Sequence, residues 1–308
     1  MVFLPHNFKK MLRNILYYIY RLIFVNRIAI NIVSKKFHEK YYNYDFKNII
    51  FEDLLFLKKL FFSKKYFISK IYDEQSRTYH SFDWLIVAKN LGGAECVLTA
   101  KKHIINWYNK KYLKNTFVWN EIFVSKRLIN LIYNYDFFAT SSTKNEKLLF
   151  RKIILEHFII LNLLNTFRIP KKNISFEMIK ILLLFKLIHK KQIDEILFLL
   201  EEQMLMQIDN NGFHKSNNPS YQAEFINNLH EIKNIFLFFA IKVPDSIQYQ
   251  IFNMTSVLGN LTHKDNSIAL FNGSNSANYN NIIKIINLTK DIKLKNLENI
   301  KNGIAVYS

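Results

Sequence analysis

SFEMIKILLLFKLIH, residues 175–189, and QIDEILFLLEEQMLM, residues 192–206, decide the fold class. The first is apolar almost all round, the pattern of a helix buried between neighbours. The second begins after a very short connection, so the two helices must run antiparallel. The helical period recurs on both sides of this pair. Upstream, Ile122, Leu128, Leu131 and Ile132 mark one helix. Leu149, Phe150, Ile153, Ile154, Phe158, Leu161 and Leu164 mark another, which must stop near Pro170. Downstream, residues 222–241 place Phe225, Leu229, Ile232, Phe236 and Phe239 on one side. Residues 246–261 do the same with Ile247, Ile251, Met254, Leu258 and Leu261, and Pro244 fits the turn before them. Antiparallel helix pairs on short loops describe an α-bundle or an α/α toroid. No fixed-period sequence repeat occurs, which argues against a consensus solenoid.

Composition agrees with an all-α chain. The protein has 308 residues, half of them apolar, with only 6 Gly and 4 Pro, too few for a many-turned β-sandwich. Its apolar content suffices for a core, so global disorder is excluded. A single cysteine, Cys96, excludes a disulfide framework and a thiolate zinc site within the chain. Lys and Arg number 43 against 24 Asp and Glu, a formal net charge of +19. That balance disfavours a cationic partner and suits a polyanion. Lys, Asn, Ile, Phe and Tyr are abundant together, so part of the excess reflects compositional bias.

The most apolar N-terminal stretch, residues 14–33, is broken by Arg21, Asn26 and Arg27 and offers no uninterrupted span of about 20 residues. It lacks the small-residue cleavage site of a signal peptide. The expectation is a packed amphipathic helix with Leu12, Ile15, Leu16, Ile19, Leu22 and Ile23 as its buried stripe. No transmembrane segment is expected and no signal peptide is evident; the sequence does not decide the location, and the two expectations are the cytoplasm and association with the cell envelope.

Two polar loops interrupt the helices: DNNGFHKSNNPS, residues 209–220, and DNSIALFNGSN, residues 265–275. Asn and Gly at these densities suit tight turns and left-handed backbone. Loops held by rigid helices are a usual place for chemistry. The nine histidines show no paired-ligand spacing, so no metal site is expected. Gly-rich phosphate loops and nucleophile elbows are absent, and no cofactor is expected.

Six pieces, in order, resemble the helical part of the heparinase II/III-like family of polysaccharide lyases. They are HSFDWL (80–85), LGG (91–93), the Trp107-centred segment 104–108, VWNEIFVSKRLINLIYNYDFF (118–138), NGFHKSNNPSYQAE (211–224) and SIALFNGSN (267–275). The fourth carries Trp119 ahead of Arg127-Leu128 and ends in Asp136-Phe137-Phe138. The resemblance implies an incomplete α/α toroid over residues 80–300, after an N-terminal helical segment and linker at 1–79. It also implies a C-terminal β-sandwich domain, to which residues 301–308 would be a stub, supplied by a separate domain or chain.

The reaction implied is β-elimination at a uronic acid of an acidic polysaccharide. The substrate carboxylate is neutralised, a base removes the adjacent proton, and an acid protonates the leaving oxygen. Tyr221 is the candidate acid/base, because it follows Pro219-Ser220 where related lyases carry Pro-x-Tyr-His. His214 is the candidate to contact substrate or orient Tyr221. Asn217, Asn218 and the Asn272 loop offer amides to a carboxylate, the logic of an oxyanion hole. Trp84 and Trp119 are candidates to stack on sugar rings, and Arg127 to pair with a uronate through its planar fork. Each has a plainer alternative: core for the two tryptophans, and for Arg127 a bridge to Asp136 or Glu121. The chain departs from the family in three places. Gln222 stands where a His is usual, segment 174–187 lacks an Asn-His pair, and the last loop reads Asn272-Gly273-Ser274-Asn275 without a carboxylate. A non-catalytic carbohydrate-binding or envelope-polysaccharide biosynthesis protein is therefore the alternative. A nucleic-acid-binding helical protein ranks last, because no basic run or nucleic-acid motif accompanies the charge.

Overall fold

Ten helices account for most of the described chain. The computed structural model describes residues 15, 61, 74–109, 118–166, 174–188, 190–263, 267–274 and 285. The helices are α1 (Glu74–Ser81), α2 (Trp84–Leu91), α3 (Gly93–Asn109), α4 (Glu121–Tyr133), α5 (Tyr135–Ala139), α6 (Lys144–Thr166), α7 (Phe176–Ile188), α8 (Asp194–Gln207), α9 (Pro219–Phe238) and α10 (Asp245–Asn260). Among the described residues no named strand occurs, and β structure is limited to two isolated bridges, Ile208 with His214 and Thr262 with Ile268. No helix among them is long and apolar enough to cross a membrane. The protein is all-α in this part. Of the expected N-terminal stripe, Ile15 is helical but exposed, not buried, and the rest of it lies outside the described residues. The stub at 301–308 lies outside them too.

The helices begin where local chemistry satisfies their first N–H groups. Asn120 caps α4, its side chain accepting from the Phe123 N–H at 3.0 Å. Thr143 and Glu146 form a reciprocal box before α6: the Thr143 N–H donates to Glu146 Oε2 at 2.8 Å, and the Glu146 N–H to Thr143 Oγ1 at 3.2 Å. Pro219 opens α9 behind Asn218, whose Oδ1 accepts from the N–H groups of Ser220 and Tyr221. The segment that announced the fold behaves as its sequence requires: Met178, Ile179, Ile181, Leu182, Leu183 and Leu184 of α7 are all buried.

The chain divides into two compact units, with the division between Ile181 and Leu182, inside α7. In the first, α4 packs against α1 and α6, and α2 against α3. Its centre is a buried cation. Arg127 is 0% exposed. It donates through Nε to His157 Nε2 at 2.6 Å, through Nη1 to the His80 carbonyl at 2.6 Å and through Nη2 to the Val118 carbonyl at 3.1 Å. Its guanidinium lies 4.2 Å from the Trp107 ring centroid and 5.0 Å from that of Trp119. Because Nε2 of His157 accepts, the ring proton sits on Nδ1 and is donated to the Ile153 carbonyl at 2.7 Å. The Trp107 indole N–H donates to His80 Nδ1 at 3.0 Å. A second buried set lies beside this one: Asn130 Nδ2 donates to Asp83 Oδ1 at 2.8 Å and to the Ser81 carbonyl at 3.0 Å, and the Ser81 hydroxyl donates to Asp83 Oδ2.

In the second unit α9 and α10 form a helical hairpin. Gln222, near the start of α9, donates to the Met254 carbonyl towards the end of α10 at 2.9 Å, which fixes them antiparallel. Their interface buries Phe225, Ile226, Leu229, Ile232, Ile247, Ile251, Met254 and Leu258.

Two buried histidines make stability depend on pH. Burial first, and then the Arg127 guanidinium, pushes His80 down to about 3; burial, and then Lys233, pushes His230 down to about 4. Both start from an ordinary value of 6.5. Below that value the unfolded chain takes up protons that the folded chain refuses. Unfolding free energy should therefore hold above pH 7 and fall as pH drops from 6.5 towards 4, by about 1.4 kcal/mol per pH unit for each ring. Urea melts at pH 7.5, 6 and 5 would show the decline; equal stability at all three would contradict it.

Candidate functional site

The two polar loops meet in the second unit, and each is built by its own short side chains. In the first, Asp209 folds the chain back: its Oδ1 accepts the N–H groups of Asn211 at 2.9 Å and Phe213 at 2.8 Å. Its own N–H donates to the Phe213 carbonyl at 2.8 Å. Gly212 takes φ +86°, and a Cβ there would stand 3.0 Å from the Asn253 backbone carbon, so this turn requires glycine on two grounds. Gln222, buried on α9, clamps the turn: its Oε1 accepts the His214 N–H at 2.7 Å and its Nε2 donates to the Gly212 carbonyl at 2.8 Å. Phe213 drops into a small core with Val257 and Leu261, covered by Phe271 of the second loop.

The second loop turns at Ser274, whose Oγ accepts the Phe271 N–H at 3.0 Å and donates to the Ala269 carbonyl at 3.2 Å. Two reciprocal amide bonds join the loops. Asn218 Nδ2 donates to the Asn272 carbonyl at 2.8 Å, and Asn272 Nδ2 donates to the Asn217 carbonyl at 3.0 Å. His214, Asn217, Asn218, Tyr221 and Asn272 thus occupy one surface of the second unit.

Tyr221 is 53% exposed, on the first turn of α9, while Phe225 and Leu229 below it are buried. Its ring stands edge-on to His214 with centroids 5.8 Å apart. His214 Nδ1 accepts the Ser216 N–H at 3.2 Å and lies 2.7 Å from the Ser216 hydroxyl. With Nδ1 accepting, the neutral ring carries its proton on Nε2, which faces Gln207 Oε1 at 3.4 Å. Partial burial holds the His214 imidazole below its ordinary value, which favours this neutral form at pH 7. The surface thus pairs an exposed phenol with a neutral imidazole, two groups suited to proton transfer.

The other three candidates lie elsewhere. Trp84 and Trp119 belong to the core of the first unit, and Arg127 is buried there on the partners described above. Trp84 stacks on Phe61 with centroids 5.7 Å apart, and Trp119 lies 5.0 Å from the His157 ring. A sugar-stacking or uronate-pairing role for these three is corrected by their burial: no face of either indole and no arm of the fork is presented to solvent. Asn218 is corrected in part, because both ends of its buried amide are occupied, one capping α9 and one holding the second loop. Among the described residues no group of His, Cys, Asp and Glu has a metal-binding arrangement.

Sequence reading missed Gln222 as a structural residue, and with it Ser216 and Gln207 around His214. A signal for Gln222 existed: a long polar side chain three residues ahead of Phe225 on a buried helix face needs partners.

No protein-family model matches the chain, and no curated protein matches it in sequence. Solved structures do. The chain is similar to a heparan sulfate lyase HepC mutant from Pedobacter heparinus, at 16% identity and TM-score 0.55, over 88% of this chain and 51% of that one. It is also similar to heparan sulfate lyase HepC from the same organism, at 15% identity and TM-score 0.52, over 78% of this chain and 44% of that one. At these identities the likeness is one of fold. The chain spans about half the length of the lyase chains it matches. The helical fold expected from the six sequence pieces is the fold these structures share with it.

Proposed function

We propose that the surface formed by residues 209–222 and 267–274 binds an acidic, uronate-containing polysaccharide, and that Tyr221 and His214 serve β-elimination at a bound uronate. One observation carries this reading: an exposed tyrosine held edge-on to a neutral histidine, on two loops bonded to each other and backed by a helical hairpin. The fold shared with heparan sulfate lyases and the net charge of +19 support the same polymer class. Tyr221 is the acid/base, and His214 orients it and relays the proton. Asn217 Nδ2, which makes no hydrogen bond among the described residues, is the amide donor to the substrate carboxylate. Asn218 and Asn272 keep the loops in register.

A second reading is binding without turnover, and Gln222 favours it. The residue that stands where related lyases carry histidine is bonded at both ends of its amide and serves the loop, not the substrate. The second loop adds no carboxylate at Asn272-Gly273-Ser274.

Titration of the chain with a heparan sulfate hexasaccharide and with a hexauronate tests the shared part of both readings. At least one should bind, and affinity should fall steeply as salt rises from low to physiological ionic strength, where charges are screened within about 8 Å, and beyond. Absence of binding by both, or binding indifferent to salt, would overturn the polyanion reading.

A further inference from the structure

A cavity of about 420 Å³ opens in the second unit between the C-terminal half of α8 and the N-terminal half of α10, away from Tyr221 and His214 in its lining. Its size falls within the usual range for small-ligand sites, about 300–1,000 Å³. Glu201, Leu205, Asn210, Tyr249, Gln250 and Asn253 shape it. We infer that this cavity is a second binding site, for an uncharged saccharide.

The chemistry of the lining selects the ligand class. Glu201, Asn210, Gln250 and Asn253 each end in a planar group with two polar atoms, and none of these side chains makes a hydrogen bond among the described residues. The three amides, which donate through nitrogen and accept through oxygen, and the Glu201 carboxylate, which only accepts, match the adjacent hydroxyls of a sugar ring, each able to donate and to accept. Tyr249, 62% exposed, offers an aromatic face to the C–H side of such a ring, and Leu205 extends the apolar edge. A purely apolar ligand would leave the four polar groups without partners at the moment of desolvation.

Charge excludes anionic ligands here. No Lys, Arg or His lines the cavity, whereas Glu201 and Asp209 both do. Residues 192–214, which supply α8 and the first turn of the loop, carry five acids and no Lys or Arg, in a chain where basic residues outnumber acidic ones 43 to 24. Lys215 stands next in sequence, its ammonium held on the Leu205 carbonyl at 2.8 Å, outside the lining. A phosphate, sulfate or uronate would meet repulsion in this cavity, and a neutral sugar would not. The cavity also shares a wall with the candidate site, because the Asn253 backbone packs against Gly212 of the His214 loop.

The test uses the full chain and three uncharged probes: the β-1,4-linked hexasaccharides of glucose, mannose and galactose, observed by saturation-transfer NMR and calorimetry. At least one should bind, with an affinity that does not change with salt. Tyr249→Ala and Gln250→Ala should each weaken that binding about tenfold or more, the size expected when an anchor is truncated. Both residues are on the helix surface or half-buried, and circular dichroism would verify that each variant folds. Tyr249→Ala should leave hexauronate titration as it is in the unmodified chain, so failure of the acidic-polysaccharide reading and failure of this one are separately visible. Binding by none of the three probes, or binding indifferent to Tyr249→Ala, would overturn the inference.

Discussion

Arg127→Ala should remove about 3–5 kcal/mol of stability, a large fraction of the about 5–15 kcal/mol that holds a typical domain folded. The residue is buried completely, and its loss strips the donor from His157 Nε2 and from the carbonyls of His80 and Val118. Each orphaned buried acceptor costs about 1–3 kcal/mol. It also opens a void between Trp107 and Trp119, where large-to-small changes cost about 2–5 kcal/mol. These terms overlap and do not add. Arg127→Met keeps most of the volume and removes the buried charge, so it should recover part of the loss. Urea denaturation followed by tryptophan fluorescence would read both, since Trp107 and Trp119 flank the site. A loss below about 1 kcal/mol for the alanine variant would show that the buried cation does not organise this unit.

If Tyr221 is the acid/base proposed above, Tyr221→Phe should cost elimination about 10²–10⁴-fold, the usual contribution of a positioned general acid or base, while glycan binding survives. The substitution removes one exposed hydroxyl and keeps the ring against His214, so stability should be nearly unchanged. Unsaturated product, measured by its ultraviolet absorbance, is the readout. Unchanged turnover with Phe at this position would take Tyr221 out of the chemistry. If the unmodified protein binds a uronate polymer but forms no unsaturated product, the binding-only reading suggested by Gln222 stands in its place.

The helices were legible because their signal is local. The all-round apolar segment ending near Ile188 and the stripe from Phe225 to Phe236 need only the 3.6-residue period to be read. The polar loops were legible from Asn and Gly alone. The roles of Trp119 and Arg127 were not, because the burial of a charge is decided by distant partners: His80, Trp107 and His157 reach Arg127 from three other helices. HSFDWL, Trp107, Trp119 and Arg127 stand out as separate pieces in the sequence, and the physical meaning of the set is the packing of the first unit around that cation. Tyr221 posed the opposite problem. Its spacing from Phe225 and Leu229 is that of a buried stripe, yet on the first turn of α9 Ser220, Gln222 and Ala223 are covered while Tyr221 is left exposed. Gln222 reads in the sequence only as a residue beside Tyr221, and its task, clamping the His214 turn onto α9, depends on backbone groups distant in sequence.

NMR of the chain labelled at histidine, tyrosine and tryptophan and titrated with a hexauronate would show whether the loops around His214 and Tyr221 form the polysaccharide surface. The His214 imidazole and Tyr221 ring signals should move with one common saturation curve, while the buried Trp84 and Trp119 indole signals stay fixed. Movement of the Trp84 or Trp119 signals with His214 and Tyr221 unmoved would contradict that surface.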